Sequence, residues 1–409
     1  MLVVVSDLHL TDHPTGNPEL EQRLIDFLEE IRIRNSALGV HPNVDVLLLG
    51  DIFDFLNSVQ WAQTDLRPWQ PHSPKHGELV ERILEGILAQ FKKLVGRMSD
   101  LIKGEAGIRF EYVIGNHDFL LNCQYAKDAR KKLRTAFGLP GQTDAHFDEH
   151  TSRPEYRLVA LHGHEFDPWN YRRGDLWPFG DAVVIELFRG FLRAAADRLG
   201  LAADDPILLQ LNEIYHVRPE SLAPFWTRAL TTRFRMDAAQ RKALAKAWAD
   251  AIETMFRVDY IRENLKRYRK LPQFRRREIV LRGSAHFDPS WLPTTLKRRL
   301  VKEADPIRYE RRVRLPLALD ASSRFVVAGH THRPGVFHLE LLKETREPLI
   351  YVNTGTWQQV HLPVLFENQG LLDFSSEFVS AHAVFYTQEE QQKTRKRYEL
   401  HQLRSSWGP

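Results

Sequence analysis

One cysteine, Cys123, stands among 409 residues, so no intramolecular disulfide can form and no cysteine cluster can hold a metal. That scarcity points to a reducing, cytosolic location. Also missing is any run of about 18 or more apolar residues, which argues against a transmembrane helix and leaves contact with a membrane surface open. The segment from Met1 to Asp7 has no basic stretch and too short an apolar run for a secretory signal. Low-complexity tracts and internal repeats are absent too. What is present, 43% hydrophobic and 11% aromatic residues, fits a folded globular protein of one elaborated domain or two.

A net charge of +4 conceals an asymmetry. Between residues 170 and 320 Lys and Arg outnumber Asp and Glu by 30 to 19, and elsewhere they are outnumbered 27 to 34. A basic module is thus joined to an acidic one. The polyanionic partners this favours are a phosphorylated substrate, a nucleic acid or an acidic lipid.

Short β-branched runs at residues 2–6, 44–49, 108–114 and 158–161 read as buried strands, separated by helical patterns. One helix starts at the Asn17-Pro18 cap and continues through Leu24, Leu28 and Ile31; a second covers residues 78–102. From about 175 to 300 helix follows helix, rich in Arg, Trp, Phe and Leu. Strand patterns resume at 324–328, 335–341, 349–353, 360–366, 382–387 and 397–403, and their short connections predict antiparallel pairing. The fold class is therefore α/β, with residues 1–168 and 321–409 forming one domain and residues 169–320 a basic helical insertion.

Five segments gather metal-competent side chains just after predicted strands: Asp7-Leu8-His9, Gly50-Asp51-Ile52-Phe53-Asp54, Gly115-Asn116-His117-Asp118, His162-Gly163-His164 and Gly329-His330-Thr331-His332. Strand ends are where α/β sheets place ligands. Asp7 and His9 can converge on one ion if the backbone between them is extended, because alternate residues then face one side. Glycine before Asp51, Asn116 and His330 permits an unusual backbone angle or close approach of the chain. Mixed carboxylate, imidazole and amide donors suit Mn, Fe or Zn, and seven candidate ligands exceed what one catalytic ion needs.

In that order the segments closely resemble the calcineurin-like metallophosphoesterase pattern D-x-H, G-D-x-x-D, G-N-H-D, H and G-H-x-H. The resemblance spans residues 1 to about 168 and 321 to about 360. It implies a four-layer α/β/β/α sandwich. It also implies that Asp7, His9 and His332 hold one divalent ion, Asn116, His162 and His330 a second, and that Asp51 bridges both. His117 would face the substrate phosphate with Asp54 behind it. The implied activity is that of a metal-dependent phosphatase or phosphodiesterase, hydrolysing a phosphomonoester or phosphodiester by attack of a metal-bridging hydroxide, with manganese the leading metal.

Outside those ligands, His164 reads as support for His162, His286 as a packed or surface residue, and His361 and Trp357 as lining for the mouth of the site. The insertion reads as a cap. Its runs Lys266-Arg267-Tyr268-Arg269-Lys270, Arg275-Arg276-Arg277 and Lys297-Arg298-Arg299 form either phosphate contacts or a solvated face. Trp177, Phe179, Phe188, Phe191, Trp226, Phe234, Trp248 and Phe256 read as its own core. Three other functions fit the same motifs: a UDP-diacylglucosamine pyrophosphohydrolase-like lipid enzyme, whose third motif commonly carries Arg where His117 stands; a nuclease; and a non-catalytic scaffold of the same fold.

Overall fold

A computed structural model describes residues 1–14, 19–38, 44–103, 107–167, 169–171, 177–218, 220–268, 272–284, 293–303, 323–342, 346–366 and 371–406. Among these residues eleven strands run in chain order: β1 (Leu2–Val5), β2 (Val44–Leu49), β3 (Ile108–Val113), β4 (His150–Arg153), β5 (Leu158–Leu161), β6 (Phe325–Ala328), β7 (Gly335–Leu341), β8 (Pro348–Asn353), β9 (Gln359–Phe366), β10 (Leu371–Phe385) and β11 (Tyr398–Ser406). They build two mixed sheets. The first has the order β11-β10-β1-β2-β3, with β9 also pairing β10; the second has the order β4-β5-β6-β8-β7.

Alternation along the strands divides the core. Leu2, Val4, Leu47 and Leu49 of the first sheet pack with Leu158, Ala160, Phe325, Val327, Ile350 and Val352 of the second. The intervening Val3, Val5, Val46 and Leu48 face the other way, into a cluster with four helices. These are α1 (Leu20–Leu38), α2 (Pro74–Gln90), α3 (Lys92–Lys103) and α4 (Lys127–Phe137). On the far face of the second sheet Leu161, Val326, Ala328, Leu349 and Tyr351 form a small cluster joined by Phe166, Phe337, Leu339 and Leu342. Each fully buried Leu, Val or Ile contributes about 1.5–3 kcal/mol.

Several expectations from sequence are corrected. The C-terminal strands are not all antiparallel: β6 and β8 pair in parallel, because β7 swings out to the edge and serves as the crossover in place of a helix. The single helix expected over 78–102 is two, parted at Phe91, whose φ of −108° and ψ of 36° leave the helical region. The start at Asn17-Pro18 lies outside the described residues.

Between Phe179 and Glu303 the described elements are helical, including a π-helical turn at Val183–Arg189. Phe179, Phe188, Phe191, Trp226 and Trp248 are buried in one cluster, with Phe234 and Phe256 at its edge. Leu372 and Phe374 of β10 join it, so these helices are seated on one end of that strand. Trp177 does not belong there. It packs in the α/β cluster, near His72 at 5.6 Å and Phe119 at 5.9 Å.

Candidate metal centre

The loops after β1, β2, β3, β5 and β6 converge. Their backbone is unusual: φ is 54° at Asp7, 46° at His9, 51° at Asp51, 66° at His330 and 59° at His332. Left-handed conformations are costly for non-glycine residues and cluster where function holds them. The extended Asp7–His9 geometry expected from sequence is thereby corrected; two left-handed residues, not strand alternation, turn both side chains to one place. Gly50 has φ 77°, and a Cβ there would come within 2.5 Å of His162 Nδ1. Gly115 and Gly329 are needed for close approach instead, since a Cβ on either would collide with Asp51 or Asp7.

Asp7, His9 and His332 bring their donor atoms together in one group, and Asp51, His162 and His330 in a second. Asp51 lies between the two, its Oδ2 3.0 Å from His162 Nε2 and 3.9 Å from His9 Nε2. A third group joins His9, Asp54 and His117. Backbone amides fix the carboxylates: His330 N–H donates to Asp7 at 2.9 Å and His117 N–H to Asp51 Oδ1 at 2.8 Å. Asp118 locks two loops together by accepting from the N–H groups of Ile52 (3.0 Å) and Gly115 (2.6 Å) and from the Tyr112 hydroxyl (2.5 Å).

The donor set asks for cations. His162 Nδ1 faces the Leu49 carbonyl at 3.0 Å, so that nitrogen carries the proton and the Nε2 lone pair points at a carboxylate oxygen. Two acceptors 3.0 Å apart need a proton or a metal between them. His9 repeats the pattern, with Nδ1 3.2 Å from Asp54 Oδ2 and Nε2 3.0 Å from His332 Nε2. Asn116 Oδ1 is buried with no hydrogen-bond partner. A buried acceptor left so costs about 1–3 kcal/mol, which a coordinated ion removes. These buried His and Asp groups could therefore hold metal.

Electrostatics follow the same geometry. Burial opposes the charge of Asp51, but His162 and His117 outweigh it and hold the carboxyl well below its usual range. Burial lowers the His117 ring, and Asp54 and Asp51 overcome it to bring the pKa up to about 9. Asp54, burial notwithstanding, is held below the ordinary range by His117, whose Nδ1 is 2.7 Å from Asp54 Oδ1. Burial and then Arg218 keep His332 well below the usual histidine value, hence neutral and able to donate a lone pair.

Beyond the seven candidate ligands, His117 and Asp54, the structure agrees with the sequence reading at His164 and differs at Trp357 and His361. His164 packs 5.5 Å from the His162 ring, and burial takes its pKa down to about 4. Trp357 does not line the mouth: its ring packs on Phe27 and its Nε1 donates to the Ala381 carbonyl at 2.8 Å. His361 is likewise buried, bonded to Ser376 and 4.6 Å from the Trp226 ring. His286 lies outside the described residues, as do Arg269 and Lys270 of the first basic run.

Three groups escaped the motif reading. Asp167 Oδ2 is 3.6 Å from His330 Nε2. Asp181 is buried with neither carboxyl oxygen hydrogen-bonded; burial pushes its pKa well up, against the pull of His117. Arg218 reaches His332 from the insertion. A cleft of about 470 Å³, open solvent included, is lined by Asp51, His117, His330 and His332 on one side and by Trp169, Val183, Val184, Phe188, Tyr215 and Arg218 on the other. No sequence pattern marks those insertion residues, because they come from separate helices and turns.

No protein-family model matches the chain. Over 159 residues it is 27% identical to UDP-2,3-diacylglucosamine hydrolase of Proteus mirabilis (strain HI4320), a stretch covering 39% of this chain and 46% of that protein. The similarity is thus to a hydrolase, over less than half of the relative's length.

Proposed function

We propose that this protein is a metal-dependent phosphoesterase of the calcineurin-like kind. Asp7, His9 and His332 would hold one divalent ion and Asn116, His162 and His330 another, with Asp51 shared; manganese is the first choice. On this reading residues 1–168 and 321–409 form the catalytic domain around the two packed sheets, and residues 169–320 cap it. The single cysteine fits a cytoplasmic setting. Among the described residues no helix is long and apolar enough to cross a membrane. The observation that carries the proposal is Asp51, whose one carboxylate oxygen lies between the two His-rich groups.

When bound, the ions supply Lewis-acid charge at phosphoryl oxygens and activate water near neutral pH. The rest falls to the chain. Asp54 orients His117 through Nδ1, leaving the other ring nitrogen for substrate. The Asp54 carboxylate raises the ring's affinity for a proton, which the ring can donate to the departing oxygen. Trp169, Val183, Val184 and Phe188 present an apolar wall that excludes water from one side of the cleft.

Assay of manganese-loaded protein with chromogenic phosphomonoesters and phosphodiesters tests this, the expectation being cleavage that chelation abolishes. The likeness to the Proteus mirabilis enzyme favours a second reading, hydrolysis of the pyrophosphate in a UDP-linked acyl sugar. Protein that holds metal yet cleaves neither the esters nor UDP-2,3-diacylglucosamine would sink both and leave the scaffold reading.

A further inference from the structure

Among the described residues of the helical region, Arg218 brings a guanidinium against a candidate ligand, His332. Its Nη1 donates to the carbonyls of Tyr215 at 2.6 Å and Val217 at 3.2 Å, which fixes the guanidinium in place. The Arg218 backbone N–H donates to the His361 carbonyl at 3.0 Å, pinning the turn itself to β9. Nη2 lies 3.2 Å from Nδ1 and 3.1 Å from Nε2 of His332. Two ring nitrogens can be equally close only to an atom over the ring face, so the guanidinium does not occupy the in-plane lone pair of the neutral His332 ring. Glu220 Oε1 forms an ion pair with Nη1 at 3.8 Å, while Nη2 is the nitrogen turned to His332.

A guanidinium resting on the face of a residue that ligates a divalent ion is repelled by that ion unless an anion lies between them. The pair makes sense as two sides of an anion site. We propose, resting on the phosphoesterase reading above, that Arg218 is the substrate-phosphate clamp of the insertion and sets a preference for phosphate groups carrying two negative charges. Its planar fork matches phosphate oxygens, and attraction to a fixed cation scales with the charge of the ligand. A terminal phosphomonoester dianion therefore gains about twice as much from Arg218 as a diester monoanion does.

Inorganic phosphate is the probe. Calorimetric titration into protein purified with its metal should show binding that Arg218→Ala weakens by about tenfold or more, the worth of a charged hydrogen bond. Arg218→Lys, which keeps the charge and loses the fork, should recover part of it. In the ester assay Arg218→Ala should raise KM for a monoester by the same factor, and for a diester by about its square root. Metal content should stay at the wild-type level in both variants. The clamp is overturned if wild type binds no phosphate, if Arg218→Ala changes affinity by less than twofold, or if it acts only by emptying the metal site. Should wild type cleave no ester at all, the phosphoesterase reading fails, and the phosphate titration still judges the clamp by itself.

Discussion

His117 and Asp54 are 2.7 Å apart, and the same Asp54 carboxylate reaches His9 through its other oxygen. Removing one of these side chains should therefore differ from removing the other. His117→Ala takes away the proton donor but no candidate ligand; turnover should fall by about 10²–10⁴-fold with metal content unchanged. Asp54→Asn loosens His9 as well, so metal affinity should drop by about 10–100-fold alongside activity. Elemental analysis beside steady-state kinetics separates the two, and loss of metal from His117→Ala would show that His117 is itself a ligand. The candidate ligands could be read from sequence because each rides on a segment of three to five residues, whose spacing is local. Arg218 and Asp181 could not, since neither has a neighbour in sequence that betrays its partner across the cleft.

At the scale of elements, long-range pairing decided what local pattern could not. β4, with the sequence His-Thr-Ser-Arg, carries no apolar residue and forms only because it lies antiparallel to β5 at the sheet edge. β10 runs from Leu371 to Phe385, far beyond the expected 382–387, because Ser375, Ser376 and Glu377 are held by β9 although their polarity hides a strand. On that strand His382 stacks on His401 of β11 at 4.8 Å and packs on Phe27 of α1. Burial, with help from His401 and Arg34, takes its pKa down to about 3. The unfolded chain binds a proton near pH 6.5 that the folded chain refuses, so this residue's contribution is complete above that pH and is lost as pH falls towards 3. Urea unfolding should show stability declining on acidification, by up to about 1.4 kcal/mol per pH unit from this group. His382→Phe should flatten the slope between pH 6 and 4; an unchanged slope would mean that His382 is not buried neutral.

For the whole molecule, two sheets with helices packed against the first form the framework, and five strand-end loops bring the candidate ligands together at one edge of it. The helical region adds an apolar face to the cleft, with the Arg218 cation and the Glu220 carboxylate beside it. The basic excess that the sequence places in this region does not explain the site by its runs: Arg298 and Arg299 are exposed, and the side chains of Arg275, Arg276 and Arg277 lie outside the described residues. On the proposal above, one arginine held by backbone carbonyls against the candidate metal site matters more than the sum of the charges, because fixed geometry and burial strengthen a charge that solvent would otherwise screen.

The central claim is that Asp51 is shared between two ions. Metal counting on the purified chain after manganese loading and desalting tests it most directly: about two ions per chain are predicted for wild type. Asp51→Asn should lose ions from both groups together and lose ester cleavage with them. A wild-type chain that saturates at one ion, or an Asp51→Asn chain that keeps two, would contradict the shared carboxylate and the binuclear centre built on it.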